Sequence, residues 1–359
     1  MPPPDYTVRS AFPKIYHCAS ALLIALSSFD IMKDRKTAFR KIASPFFGGK
    51  IVQNWRDQLP PQVSGRAQTM GNDGIQWLEK LNHLIFRLEE MWAIRVNSVL
   101  NGGSHAFIGC AADSSGKEYI LKIELPDYSE EAFLQGAAML VRADGKGYCR
   151  LYQVDASKRA VLLEKLGAPL RCSGKSAEEQ MRIICSALLE TWNIPLNGDE
   201  ADAVQGNYGW FRSFLPSTWE SEDKPCHRSV IDTALGYVNW LEARTRPQEY
   251  VWVHGDAHNN NMLHVPGAQI YKFIDPDGRF FEKSYDVGVL MREWPEEYLA
   301  NPLEKGKERS RFLSELTGVP EPEIWAWGYL QMTATALILH QIGQKELAET
   351  MLKIAEAWT

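Results

Sequence analysis

Residues 251–294 read VWVHGDAHNNNMLHVPGAQIYKFIDPDGRFFEKSYDVGVLMREW, and this stretch decides the fold. The apolar run Tyr250–Val253 delivers His254-Gly255-Asp256 into a polar loop. Asn261 follows Asp256 by five places before the chain turns apolar again at Met262-Leu263. A second apolar run, Ile270–Ile274, ends in Asp275, with a hairpin turn predicted at Pro266-Gly267. Two carboxylates and a carboxamide thus fall at the ends of neighbouring short strands, a set of hard oxygen donors that suits a divalent cation. His, Gly, Asp and Asn also build ordinary turns. The coincidence of strand, loop, strand and spacing favours chemistry over a plain turn.

Phosphoryl transfer uses such groups: one carboxylate positions and deprotonates an acceptor hydroxyl, while an Asn and a second Asp hold magnesium on the nucleotide phosphates. The order His254-Gly255-Asp256, Asn261, Ile274-Asp275 resembles the catalytic loop and metal-binding aspartate of the aminoglycoside phosphotransferases, relatives of the protein kinases. Asp275 is followed by Pro276-Asp277-Gly278 where protein kinases carry Phe-Gly, a form similar to the streptomycin 6-kinase and hydroxyurea phosphotransferase branch. The resemblance implies an α+β, two-lobed, protein-kinase-like fold with a small antiparallel-sheet N-lobe and a mostly helical C-lobe. It also implies Asp256 as catalytic base, Asn261 and Asp275 as ligands of Mg2+, and His254 as a brace of the loop backbone. Asp286 would accept hydrogen bonds from that backbone; its alternative is a helix N-cap ahead of Val287–Trp294. His258 receives no role.

Upstream, strand-like runs at Val96–Leu100, Ala106–Ala111 and Glu118–Ile123 are separated by turns. Gly102-Gly103-Ser104 in the first turn lets backbone approach phosphates, although a glycine pair in a hairpin is more often only a turn. Lys122 stands alone in the apolar strand Tyr119–Ile123, where the resemblance puts the lysine that grips nucleotide phosphates. Its partner glutamate is ambiguous. Glu130 and Glu131 open the next helix, Glu131 is the chosen partner, and complementing the helix dipole is the alternative for both. The run Ala160–Gly167 resembles the last N-lobe strand entering a hinge, with backbone groups from Glu164 to Leu166 meeting the adenine edge of ATP. Residues 191–225 read as irregular, and helices are predicted at Gly74–Met91, Ala177–Trp192, Ser229–Arg246 and throughout 302–359. Residues 1–50 form an extension without an assigned role, 51–166 the helical lead-in and N-lobe, and 167–359 the C-lobe with the acceptor site.

With 45% hydrophobic and 23% charged residues the chain is an ordinary globular protein rather than a disordered one. Its net charge of -6 argues against a nucleic-acid partner. Mild acidity suits a cationic small molecule and equally serves solubility alone. The six cysteines have no metal-ligand or C-x-x-C spacing, and no apolar run is long enough to span a membrane, so a reduced, cytoplasmic protein is expected. The resemblance to the aminoglycoside phosphotransferases implies as acceptor a small hydroxylated molecule, foremost a cationic aminoglycoside, with another metabolite or hydroxyurea as alternatives. No nucleic acid, membrane or protein partner is implied. A nucleotide-binding protein without turnover and a metallophosphoesterase are the readings from other classes.

Overall fold

A computed structural model describes residues 54–101, 105–126, 130–195 and 208–359. The extension over residues 1–50 and the Gly102-Gly103-Ser104 turn lie outside the described residues. The described chain opens with helices α1 (Pro61–Thr69) and α2 (Asn72–Trp92). In α2, Leu78, Leu81, Ile85 and Leu88 recur at three- and four-residue spacing, so one stripe is buried. That stripe packs with Trp55, Phe107, Leu121 and Leu162 into one hydrophobic core, while Trp77 and Trp92 pack against its margin.

The sheet comprises β1 (Ile94–Val99), β2 (Ala106–Asp113), β3 (Glu118–Glu124), β4 (Leu151–Asp155) and β5 (Ala160–Glu164), with helix α3 (Glu130–Ala143) between β3 and β4. Strand order is β1-β2-β3-β5-β4, antiparallel at every pairing. Lys122 lies in the central strand, opposite Ile108 on one side and Val161 on the other.

A second, larger core fills the helical part. Helix α4 (Ala177–Thr191) begins in a capping box, with Ser176 accepting from the Glu179 N–H and Glu179 accepting from the Ser176 N–H. The region expected to be irregular contains helix α5 (Tyr208–Ser221). Pro216 and an aromatic-rich sequence obscured a helical rhythm that Tyr208, Phe211, Leu215 and Trp219 carry inward. Trp219 is core, its Nε1 donating to the Cys226 carbonyl at 2.9 Å. Helix α6 (Arg228–Glu242) follows.

The deciding stretch forms four short strands: β6 (Val251–Val253), β7 (Met262–His264), β8 (Tyr271–Phe273) and β9 (Arg279–Phe281). They pair as two separate ladders, β7 with β8 and β6 with β9. The strand that leads into His254 is therefore paired with a strand the sequence reading did not identify. Helices α7 (Lys283–Arg292), α8 (Pro302–Thr317), α9 (Glu321–Gln341) and α10 (Lys345–Ala357) complete the chain. Helix α9 is buried nearly all round, from Ile324 to Ile338, and forms the axis on which α7 and α10 pack. Among the described residues no helix is long and apolar enough to cross a membrane. Cys110, Cys149, Cys172, Cys185 and Cys226 are all free thiols.

Candidate active site

The loop after β6 is built by side chains that hold backbone. Asp286, fully buried on α7, accepts from the His254 N–H at 3.0 Å, the Gly255 N–H at 2.8 Å and Trp192 Nε1 at 3.0 Å. Burial pushes its carboxyl up, against the three donors that favour the anion. The helix starts at Lys283, so Asp286 stands inside its first turn and is not the N-cap.

His254 is fully buried and joins two segments. Its Nδ1 accepts from the Asp256 N–H at 3.1 Å, so the ring proton sits on Nε2, which donates to the Ile274 carbonyl at 2.9 Å. Tyr148 stacks on the ring, and Phe273 closes it from another side. Gly255 has φ +90°, and a Cβ there would lie 2.7 Å from Asp277 Cβ, so both backbone shape and space require glycine.

These bonds place Asp256 at the surface of the cleft with 39% of its side chain exposed. Arg292, at the C-terminal end of α7, donates through Nη2 to Asp256 Oδ1 in a short ion pair. His258 Nε2 lies 3.2 Å from Asp256 Oδ2, and its Nδ1 accepts from the Asn260 N–H. Burial raises the Asp256 carboxyl, but His258 and the Arg292 guanidinium beside it outweigh burial and hold the group well below the usual carboxylate range.

Asn261 Nδ2 donates to the Asp256 carbonyl at 3.0 Å and approaches Oδ2 at 3.4 Å. The Ile274 N–H donates to the Asn261 carbonyl at 2.9 Å, extending the Met262–Phe273 pairing by one step. Asn261 and Asp275 therefore leave the same end of one ladder. Asp275 has φ +56° and a side chain 42% exposed, and its Oδ1 accepts from Lys122 Nζ at 2.8 Å. Lys122 bonds Glu124 Oε1 as well, at 3.2 Å. Burial lowers the lysine, but Asp275 and Glu124 outweigh it and raise it above its ordinary value.

The two Lys122 ion pairs correct the expectation for Glu131. The carboxylates that meet Lys122 are Asp275 and Glu124, which shares its face of β3 because side chains two apart on a strand point the same way. Helix α3 approaches the Asp275 loop backbone to backbone. A Cβ on Gly136 would lie 2.8 Å from the Pro276 carbonyl, and one on Gly278 would lie 2.4 Å from that of Gln135.

At the end of β5, Glu164 binds Lys272 of β8 through both oxygens, at 3.0 and 2.8 Å, and accepts from the Arg150 N–H at 2.9 Å. Leu166 is buried next to Gly167, whose N–H donates to the His264 carbonyl at 2.7 Å. Lys122, Asp275, Asn261, Asp256, His254 and Asp286 thus form one connected set across the cleft. Glu293 borders Arg292 at 3.8 Å, and Asp277 pairs with Arg279 at 3.3 Å. Glu282 lies at the opposite end of α7, beside a separate cavity of about 370 Å³, and receives the Tyr208 hydroxyl. Seven helical residues, 285–291, lie between Ser284 at that cavity's wall and Arg292, which puts the two roughly 12 Å apart along the helix.

Sequence reading missed Arg292 and left His258 without a role. The available signal for Arg292 was a lone cation closing the apolar run Val287–Met291, the same kind of signal that marks Lys122.

Known proteins share this fold. Superposition shows a two-lobed, protein-kinase-like fold. A spectinomycin phosphotransferase solved with ADP and spectinomycin aligns with TM-score 0.53 at 16% identity, over 77% of this chain and 97% of its own. An ethanolamine kinase from Plasmodium vivax aligns with TM-score 0.52 at 14% identity, over 87% and 95%. Residues 92–316 match the aminoglycoside/hydroxyurea antibiotic resistance kinase family, and the chain belongs to that family. It is therefore a small-molecule kinase, a phosphotransferase with hydroxyl acceptors. The chain is 23% identical to streptomycin 6-kinase of Streptomyces griseus over 301 residues, 81% of this chain and 93% of that protein. It is 23% identical to hydroxyurea phosphotransferase of Kitasatospora aureofaciens over 292 residues, 80% and 81% of the two chains.

Proposed function

We propose that this kinase transfers the γ-phosphoryl group of ATP, with Mg2+, to a hydroxyl of an aminoglycoside of the streptomycin type and thereby inactivates it. The observation that carries the reading is the single bonded set running from Lys122 through Asp275 and Asn261 to Asp256. It supports one cleft in which a nucleotide's phosphates and an acceptor hydroxyl lie side by side. Lys122 would meet the phosphates, and backbone near Leu166 the base, as in nucleotide kinases generally.

The donor set fits magnesium. Asn261 and Asp275 offer hard oxygens from one ladder end. Among the described residues no cluster of three or more His, Cys, Asp or Glu is placed to hold a metal, so phosphate oxygens and water would complete the sphere. When bound, the ion would screen phosphate charge. The same missing cluster disfavours a metallophosphoesterase. Asp256, kept anionic by its neighbours, would accept the hydroxyl's hydrogen and aim its oxygen at the γ-phosphorus; a carboxylate held so low orients more than it deprotonates. The reading places the enzyme in the cytoplasm, where ATP is.

A second reading, phosphorylation of hydroxyurea, draws on the equal identity to that branch. Coupled ADP release separates the two, measured with Mg-ATP and a panel of streptomycin, other aminoglycosides, amino alcohols, sugars and hydroxyurea. Streptomycin-dependent release that chelation of Mg2+ abolishes is the expected result. Release with hydroxyurea alone would support the second reading. No release with any acceptor, despite Mg-ATP binding, would leave a nucleotide-binding protein without turnover.

A further inference from the structure

Arg292 is tied at both ends. Its Nη2 donates to Asp256 Oδ1, while its Nη1 donates to Gln331 Oε1 at 2.8 Å and Thr335 Oγ1 at 3.1 Å, both on α9. Only 11% of its side chain is exposed. The planar guanidinium has its donors in a fixed fork, so anchoring one nitrogen on α9 fixes the direction of the other. Helix α9 is the buried axis of the larger core, which makes the anchor rigid. Titratable and charged groups around the carboxylate are His254 and His258 on its own loop, Arg292 and Glu293 at the end of α7, and Asp275 and Asp277 on the segment after β8. The α9 groups that reach Arg292 are neutral.

We propose that Arg292 is a positioning residue for phosphoryl transfer: braced on Gln331 and Thr335, it holds Asp256 Oδ1 and so fixes the rotation of the carboxylate that receives the acceptor hydroxyl. Without it, the carboxylate rotates about its Cβ–Cγ bond, and the hydroxyl loses a defined line of attack. His258 at 3.2 Å and Asn261 at 3.4 Å border Oδ2 from the loop side, so the carboxylate is held from the loop at one oxygen and from α7 at the other. The inference rests on the kinase reading above and adds a residue outside the catalytic loop to it.

Steady-state kinetics of Arg292→Gln, Arg292→Lys and Gln331→Leu, beside wild type and Asp256→Ala, test it with whichever acceptor the panel identifies. Arg292→Gln should lose about 100-fold in kcat, the size of loss that a displacement of roughly 1 Å can cause. Its KM for ATP should stay within about twofold, because Arg292 does not touch the nucleotide side of the cleft. Arg292→Lys keeps the charge without the fork and should recover only about tenfold of that loss. Gln331→Leu, which loosens the brace and leaves Asp256 untouched, should lose about tenfold. Wild-type kcat in Arg292→Gln overturns the inference. So does a loss shared equally by kcat and the KM for ATP together with a lower melting temperature, which would mark a merely structural arginine. Full turnover in Asp256→Ala would defeat the kinase role of Asp256 itself, whatever Arg292 does, so the two failures are distinguishable.

Discussion

The two sides of the cleft are held by different means. On the C-lobe side, buried side chains grip the backbone of one short loop: Asp286 takes two of its N–H groups and His254 links Asp256 to Ile274. On the N-lobe side, helix α3 meets the Asp275 loop through close backbone approach at Gly136 and Gly278, and Lys122 is held by Glu124 from its own strand. Side-chain grips on a contiguous loop leave a motif with fixed spacing. Backbone packing between distant segments leaves only glycines, which have many other uses.

That difference can be broken from either side. The largest effect is expected from Asp286→Ala, which leaves the His254 and Gly255 N–H groups and Trp192 Nε1 without their acceptor. Unsatisfied buried donors cost about 1–3 kcal/mol each, so denaturant unfolding should show a loss of about 3 kcal/mol or more, with turnover nearly abolished. A loss under about 0.5 kcal/mol, the range of neutral surface changes, would show that the loop does not depend on this grip.

On the other side, Lys122→Met should lower kcat/KM for ATP by about 100-fold, as for loss of one partner from a largely desolvated charge pair. Glu124→Gln should weaken ATP use by about tenfold, whereas Glu131→Gln should change it by less than about twofold. The reverse order, with Glu131 the more sensitive, would restore Glu131 as the partner of Lys122 in the working enzyme.

The smallest effect concerns the β2–β3 turn, where the N-lobe does use a local side-chain grip. Asp113 accepts from the Ser115 hydroxyl at 2.6 Å, and also from the Tyr119 hydroxyl and the Ser115 and Lys117 N–H groups. The Ser115 hydroxyl, followed by these other donors and against slight burial, pulls its carboxyl down to about 2. A depressed carboxylate contributes its support above the ordinary value near about 3.9, and that support is lost as pH falls through about 2. Local amide protection at Ser115 and Lys117, corrected for intrinsic exchange, should therefore hold at neutral pH and fall between these limits. Protection that is flat across that window would show that the carboxylate does not organise the turn.

The same contrast explains what the sequence made legible. The stretch around His254, Asp256, Asn261, Asp275 and Asp286 could be read because its parts lie within about 30 residues and their order carries a mechanism. Helices α2, α4, α6, α8 and α10 were legible from their apolar period, and α9 as an apolar stretch between the breaks at Gly318 and Gly343. Helix α5 was not, because Pro216 suggested a break that its buried aromatic face overrides. Strand β9 was too short to show a period, and the separation of β6 from β8 follows from β9 pairing with β6. Glu124 was overlooked because the usual partner of such a lysine comes from a helix. Arg292 was overlooked because its partners Gln331 and Thr335 lie about 40 residues further on, beyond the reach of any spacing rule.

The most direct measurement is transfer of a radiolabelled γ-phosphate from Mg-ATP to streptomycin, with ATP affinity determined in parallel, for wild type and Asp256→Ala. Label should appear on the acceptor with wild type. In the variant it should fall by at least about 10³-fold, while ATP affinity changes by less than about threefold. Undiminished transfer by the variant, or an equal collapse of ATP binding, would contradict a cleft in which Lys122, Asn261 and Asp275 serve the nucleotide and Asp256 serves the acceptor.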